Sequence, residues 1–307
     1  MRETKFRTHH CQSKMDQKVH IQLIFLCIIN IIVTFPGVFL NALVIASLLK
    51  SSQLRKKLCN FMTLVLSCFD FLTVITNHPL LCLSLVFWLT ENYDLLHKME
   101  IFVHLITSSF LGFSFSALLV MSFERYLGAY HPVFHRSSLS KRQLLTLLAI
   151  LVIFFAALVI MSTNNLLISV TEAAIIASVI IFPPFVFINH KLYKISKKHG
   201  RRNAVLPQRK SKIDLKNIST CLLAAACLFF LSIAVSVYVV FALYSTSTTN
   251  VKLCYFWANT IAAMNSTCNS LIFFWKNKVL RAEGMKILKT LKGFLFPTKE
   301  SLPTVTR

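Results

Sequence analysis

Few side chains in this 307-residue chain could do chemistry, and those that could sit in apolar surroundings. Asp70 stands inside an apolar run over 58–88 that holds no other charged residue. A carboxylate near mid-bilayer costs about 2.5–3.5 kcal/mol on insertion scales and marks a functional site by default. Glu124 and Arg125 are adjacent at the end of another run, over 99–127. An Arg at such a depth needs a partner, and Glu124 is beside it. An interfacial charge pair snorkelling to headgroups would use the same two residues. Nine cysteines are present (Cys11, Cys27, Cys59, Cys68, Cys82, Cys221, Cys227, Cys254, Cys268), and none forms CxxC or clusters with the ten histidines. A Cys/His metal centre is not expected. Nor is an enzyme, since no nucleophile–base set is visible.

The elements that must position these residues are membrane spans. The chain is 55% hydrophobic and 14% charged, too few charges to coat a water-facing surface. Its mean hydropathy is +0.65. Seven apolar segments run roughly over 20–49, 58–88, 99–127, 143–161, 172–194, 217–244 and 253–275. About 20 apolar residues cross the hydrocarbon as a helix. The first run is too long for a signal-peptide core and reads as a signal anchor. The formal net charge of +22 would suggest nucleic acid in a soluble protein. Here the basic residues fall in the breaks after segments 1, 3 and 5 and in the tail, where they set topology and meet anionic lipid. The break after segment 5 is the most basic, with Lys191, Lys194, Lys197, Lys198, Arg201, Arg202, Arg209, Lys210, Lys212 and Lys216. The opposite breaks are poor in Lys and Arg, so the N-terminus is expected outside and the C-terminus inside. Arg2, Lys5, Arg7, Lys14 and Lys18 run against this rule, and translation from Met15 would remove four of them. No internal repeat is visible, which argues against a secondary transporter.

Four segments carry a joint signature. Segment 3 ends Ser122-Phe123-Glu124-Arg125-Tyr126-Leu127, with Pro132 seven residues after the Arg. Segment 7 reads Asn265-Ser266-Thr267-Cys268-Asn269-Ser270-Leu271-Ile272-Phe273. Segment 2 carries Asn60 and Asp70, and segment 1 carries Asn41. This set resembles the rhodopsin-like G-protein-coupled receptors over nearly the whole chain. The first element is similar to their Glu/Asp-Arg-Tyr motif, and the second to Asn-Pro-x-x-Tyr in the form Asn-Ser-x-x-Phe. The resemblance implies an all-α membrane protein: an outer tail over 1–19, a seven-transmembrane-helix bundle over 20–275, and a short amphipathic helix 8 with a cytoplasmic tail over 276–307.

The resemblance also implies roles. Glu124, Arg125, Tyr126, Pro132, Val133, Asn269 and Phe273 would form the activation switch and G-protein contact, with Asp214 as a lock for Arg125. Asp70 would hold a sodium ion with Ser114, Asn265, Ser266 and Asn269, beside Asn41; oxygen ligands suit a hard cation. A protonated Asp70 hydrogen-bonded to Asn41 and Ser266 is the alternative, and no further cofactor is expected. In helix 8, Leu280, Ile287, Leu288 and Leu291 form an apolar side against lysines, as an interfacial helix requires.

Departures from the family pattern are equally specific. Glu100 stands where the family's helix 3 cysteine would be, and residues 162–171 hold no Cys, so that disulfide is absent. A Cys11–Cys254 link is an alternative. Helix 6 lacks Cys-Trp-x-Pro: after Phe229 and Phe230 come Ser232, Ile233, Ala234 and Val235. Thr107 stands where amine receptors place an Asp, which argues against a biogenic amine. The candidate ligand pocket is Asn77, His104, Thr107, Ser108, Trp257 and Asn259 in apolar walls, fitting a lipid-like or small apolar ligand. Trp88 and Trp257 also fit the interfacial belt. Glu91, Asp94 and Glu100 make an acidic rim that could draw a cationic peptide. The expected function is a plasma-membrane receptor signalling to heterotrimeric G proteins. A receptor-fold partner subunit or scaffold that does not signal alone is the alternative, ahead of a transporter.

Overall fold

The computed structural model describes residues 17–163, 170–205 and 215–295. All regular structure in them is helical: α1 (Gln17–Lys50), α2 (Ser52–Lys56), α3 (Leu58–Leu89), α4 (Tyr93–Tyr130), α5 (Pro132–Ser137), α6 (Lys141–Thr163), α7 (Val170–Val205), α8 (Leu215–Tyr244), α9 (Thr248–Lys276) and α10 (Lys278–Leu295). Long apolar runs become helices because a helix satisfies every backbone N–H and C=O within the segment. The breaks carry capping chemistry. Asn92 Oδ1 accepts from Leu95 N and starts α4, Ser247 Oγ accepts from Asn250 N and starts α9, and Pro132 opens α5 at the position where its missing N–H costs nothing.

Five of these helices are long and apolar enough to cross a membrane: α1, α3, α4, α6 and α8. The other two long helices depart for visible reasons. In α7 the apolar half gives way to a run of Lys, Arg and His, and α9 is diluted by Asn, Ser and Thr. Two helices extend beyond their apolar segments. Asn92 moves the start of α4 out to Tyr93, and α7 runs through much of the basic stretch to Val205. Lys and Arg are good helix formers, so the loss of hydropathy after residue 194 does not end the helix.

The long helices close a ring. Each packs on the next (α1 on α3, then α4, α6, α7, α8 and α9), and α9 packs back on α1. Helix α4 also touches α7, α8 and α9 across the ring, so it is the central strut. Two apolar cores fill the bundle. The one nearer the α4–α5 junction contains Leu66, Leu118, Met121, Leu144 and Ala224, and the other contains Leu26, Leu81, Trp88, Leu96 and Phe256. Polar side chains lie between them. The outward surface is apolar (Ile32, Phe35, Ile153, Val179, Phe230 and Leu243 are all more than half exposed), which suits hydrocarbon and not water. Helix α10 folds against α1 and the end of α9, with Leu280 fully buried and Gly284 pressed on Phe274 and Ser47.

Candidate functional site

Asp70 lies on α3, facing α4 and α9. Its carboxylate accepts from Ser114 Oγ at 2.7 Å through Oδ1 and from Asn269 Nδ2 at 3.1 Å through Oδ2. Asp70, Ser114, Asn265, Ser266 and Asn269 are all almost wholly buried. Asn41 is not a partner of the carboxylate; its Nδ2 donates to Gly37 O at 3.0 Å and Ser266 O at 3.3 Å, tying α1 to α9. Asn41, one of the two partners expected for the protonated form, is thus bonded elsewhere. Among the described residues no cation is paired with Asp70. Asn41 Oδ1, Asn269 Oδ1 and both Asn265 Oδ1 and Nδ2 are buried without a hydrogen-bond partner. Buried polar groups without partners are rare in folded proteins. A carboxylate held by a Ser hydroxyl and an Asn amide brings together the kind of oxygen groups that a hard cation takes, so the residue types fit sodium. No group of three or more His, Cys, Asp or Glu is assembled among the described residues.

The second cluster closes the end of α4. Glu124 and Arg125 are both largely buried, with Arg125 Nε 3.5 Å from Glu124 Oε2. Glu124 has a closer partner that sequence reasoning missed: His135 Nε2, on α5, lies 2.8 Å from Oε1. Tyr126 stacks on Tyr130 at 5.4 Å between centroids. Phe273 of α9 is buried and lines, with Asn60, Thr63 and Asn277, a small cavity beside Arg125. A larger cleft of about 580 Å³ opens on the other side of Arg125, lined by Lys57, Leu58, Pro132, Val133 and Arg136. Val133, an apolar side chain at its rim, is 79% exposed. Asp214, the expected lock, lies outside the described residues, as does Cys11. Cys254 is a free, half-buried thiol.

The six pocket residues are engaged as follows. Thr107 Oγ1 donates to Asn77 Oδ1, joining α4 to α3. Ser108 pairs with His104 at 3.3 Å, and His104 reaches Ser162 of α6 at 3.5 Å. Trp257 turns away to α1, with Nε1 donating to Gln22 Oε1 at 3.2 Å, and Asn259 Nδ2 donates back to Tyr255 O at 2.8 Å within α9. Trp88 is buried against Phe256 at 5.7 Å, in core packing. Glu100 forms an ion pair with Lys252, bridging α4 and α9 where the sequence lacks a disulfide.

A third buried set was also missed. Asn30 Nδ2 donates to Leu26 O and to Thr260 Oγ1, both at 2.9 Å. Both amide hydrogens are thereby used, so Oδ1 must accept from His78 Nδ1 at 2.6 Å. This set links α1, α3 and α9. A lone Asn in an apolar run was the only sequence signal for it. Set against models of known protein families and against curated proteins, the chain matches none.

Proposed function

We propose that the chain is a seven-span membrane receptor that transmits an outer ligand signal to heterotrimeric G proteins, with the N-terminus outside, the tail inside, and the plasma membrane as its site. The observation that carries this reading is the buried contact of Asp70 with both Ser114 and Asn269. Three residues read from separate segments by family resemblance meet in one cluster, which fixes the relative rotation of α3, α4 and α9. The ring order of the long helices supports it. So does the burial of Arg125 beside Glu124, next to a cleft with an exposed apolar residue at its rim. In this reading α7 and α9 span as well, with Thr260, Asn265, Ser266 and Asn269 of α9 buried in the interior. A sodium ion at Asp70 would neutralise the buried carboxylate while the chain's own amides and hydroxyls orient it. Arg125, Tyr126, Val133, Asn269 and Phe273 would serve the switch and G-protein face. The ligand would meet the end holding Glu100, Lys252 and Trp88.

The sequence of α8 after Phe230 favours a second reading, a partner subunit that does not signal alone. With no Trp-x-Pro after it, α8 lacks the Pro-based kink that lets a helix bend sharply. A G-protein panel in cells at matched surface expression separates the two. Signal above background that is lost in Arg125→Ala supports the receptor. Equal silence of wild type and Arg125→Ala across the panel supports the subunit.

A further inference from the structure

Helix α3 runs back along α1, and their contacts keep one register. Gly37 meets Val74, Asn30 bonds His78, and Cys27 O accepts from Cys82 Sγ, so numbers fall on α1 as they rise on α3. Asn30 to Cys27 and His78 to Cys82 are each one helical turn, which puts both contacts on the same two faces. Asn30 and His78 are fully buried, and slippage of the helices would strand both polar groups in an apolar interface.

The approach is close. A Cβ at Gly37 would lie 3.0 Å from Val74 Cγ1. Cys82 Sγ lies 3.8 Å from Cys27 O, so this side chain already reaches the opposite main chain. The Cys27 thiol is its neighbour there. Neighbouring cysteines on packed faces are the arrangement a disulfide requires, whereas distant or diverging ones need backbone movement. Both thiols are free and half-buried, unlike the buried Cys59 and Cys221. A small oxidant can therefore reach them.

We propose that Cys27 and Cys82 are a modification site for peroxides, oxidised together to a disulfide that staples α1 to α3. This needs only the packing of the two helices and does not rest on the receptor reading. The chemistry balances with a peroxide, R–OOH. One thiol sulfur attacks the terminal peroxide oxygen and the O–O bond breaks. The thiol proton leaves with R–O as an alcohol, or as water when R is hydrogen. The second thiol sulfur attacks the sulfenic acid so formed, the S–O bond breaks, and water leaves with the second proton. Two thiols are oxidised to one disulfide, and one peroxide is reduced.

The full chain in lipid nanodiscs is reduced, freed of reductant, and treated with hydrogen peroxide or with cumene hydroperoxide, which partitions into lipid. Free thiols are then alkylated and the peptides mapped by mass. The expected product is a Cys27–Cys82 linked peptide, lighter by the two thiol hydrogens, formed within one molecule and reversed by a phosphine. Mapping separates it from a link between Cys227 and Cys268, which are also neighbours. Linked wild type should melt several degrees higher than the reduced protein, and Cys27→Ser and Cys82→Ser should show no such rise. In either variant the remaining thiol is expected to pass on to sulfinic acid for want of a resolving partner. Faster linkage by hydrogen peroxide assigns an aqueous source, and faster linkage by cumene hydroperoxide a lipid one. Free alkylation of both thiols after either peroxide overturns the proposal. So does sulfinic acid formed in wild type as readily as in the single variants. The map of wild type decides the link even where a variant fails to fold.

Discussion

Ser114 and Ser116 form a matched pair. They are two residues apart on α4, both almost fully buried, and each hydroxyl makes a 2.7 Å hydrogen bond. Their acceptors differ. Ser114 donates across to Asp70 Oδ1, and Ser116 donates to Gly112 O one turn back in its own helix. Removing the first leaves a buried carboxylate oxygen one donor short, a loss of about 1.5–3 kcal/mol. Removing the second leaves a carbonyl that still holds its backbone bond, and such back-bonding hydroxyls contribute little. For a chain this long, 1 kcal/mol corresponds to about 2–4 °C of melting temperature. Ser114→Ala is therefore expected to lower the apparent melting temperature by about 3–12 °C and Ser116→Ala by less than about 2 °C. Unfolding can be followed with a thiol-reactive dye, since the described cysteines are free and two are buried. In an Asp70→Asn background the cost of Ser114→Ala should shrink, because the two effects share one contact. Equal shifts for the two serines, or full additivity with Asp70→Asn, would refute the placement of Asp70.

Sodium chloride, against equal choline chloride, is expected to raise the apparent melting temperature of wild type, and Asp70→Asn to abolish the difference; at a hundred times the dissociation constant the stabilisation is about 2.7 kcal/mol. A Cβ at Gly37 would lie within bonding overlap of Thr267 Oγ1 and 3.0 Å from Val74 Cγ1. Gly37→Ala should thus cost about 1–3 kcal/mol by overpacking, and Thr267→Ala should recover part of that loss in the same thermal assay. The Glu100–Lys252 pair is about one-third exposed on each side. Glu100→Gln should accordingly cost no more than about 1 kcal/mol, and the effect should weaken with added salt.

The helices were legible because each long apolar run is a helix in this structure, and hydropathy measures those runs directly. Their ends were less legible. Asp94, Lys98 and Glu100 dilute the first turns of α4, yet Asn92 caps it and the helix forms. Lys191 to Arg202 end the apolar signal of α7 without ending the helix. Asp70, Ser114 and Asn269 were found because the resemblance set their register, and the packing of α3, α4 and α9 respects it. The side-chain partners of the pocket set were not legible, for a physical reason. Periodicity says which residues share a face, but only packing decides where that face points, and Trp257 turns to Gln22. His135 could not be read from spacing, since its contact with Glu124 crosses a helix break. The partners of Asn30 on α3 and α9 are set by tertiary packing alone.

The most direct test of the receptor reading is nucleotide exchange on purified G-protein heterotrimers by the full chain in nanodiscs, with Arg125→Ala and Ser116→Ala alongside. Ser116→Ala should match wild type, because its hydroxyl serves only its own helix. Exchange above empty nanodiscs for wild type and Ser116→Ala, lost in Arg125→Ala, is the expected result. Exchange that stays at the empty-disc level for folded wild type across every G-protein class, or that survives Arg125→Ala unchanged, would contradict it.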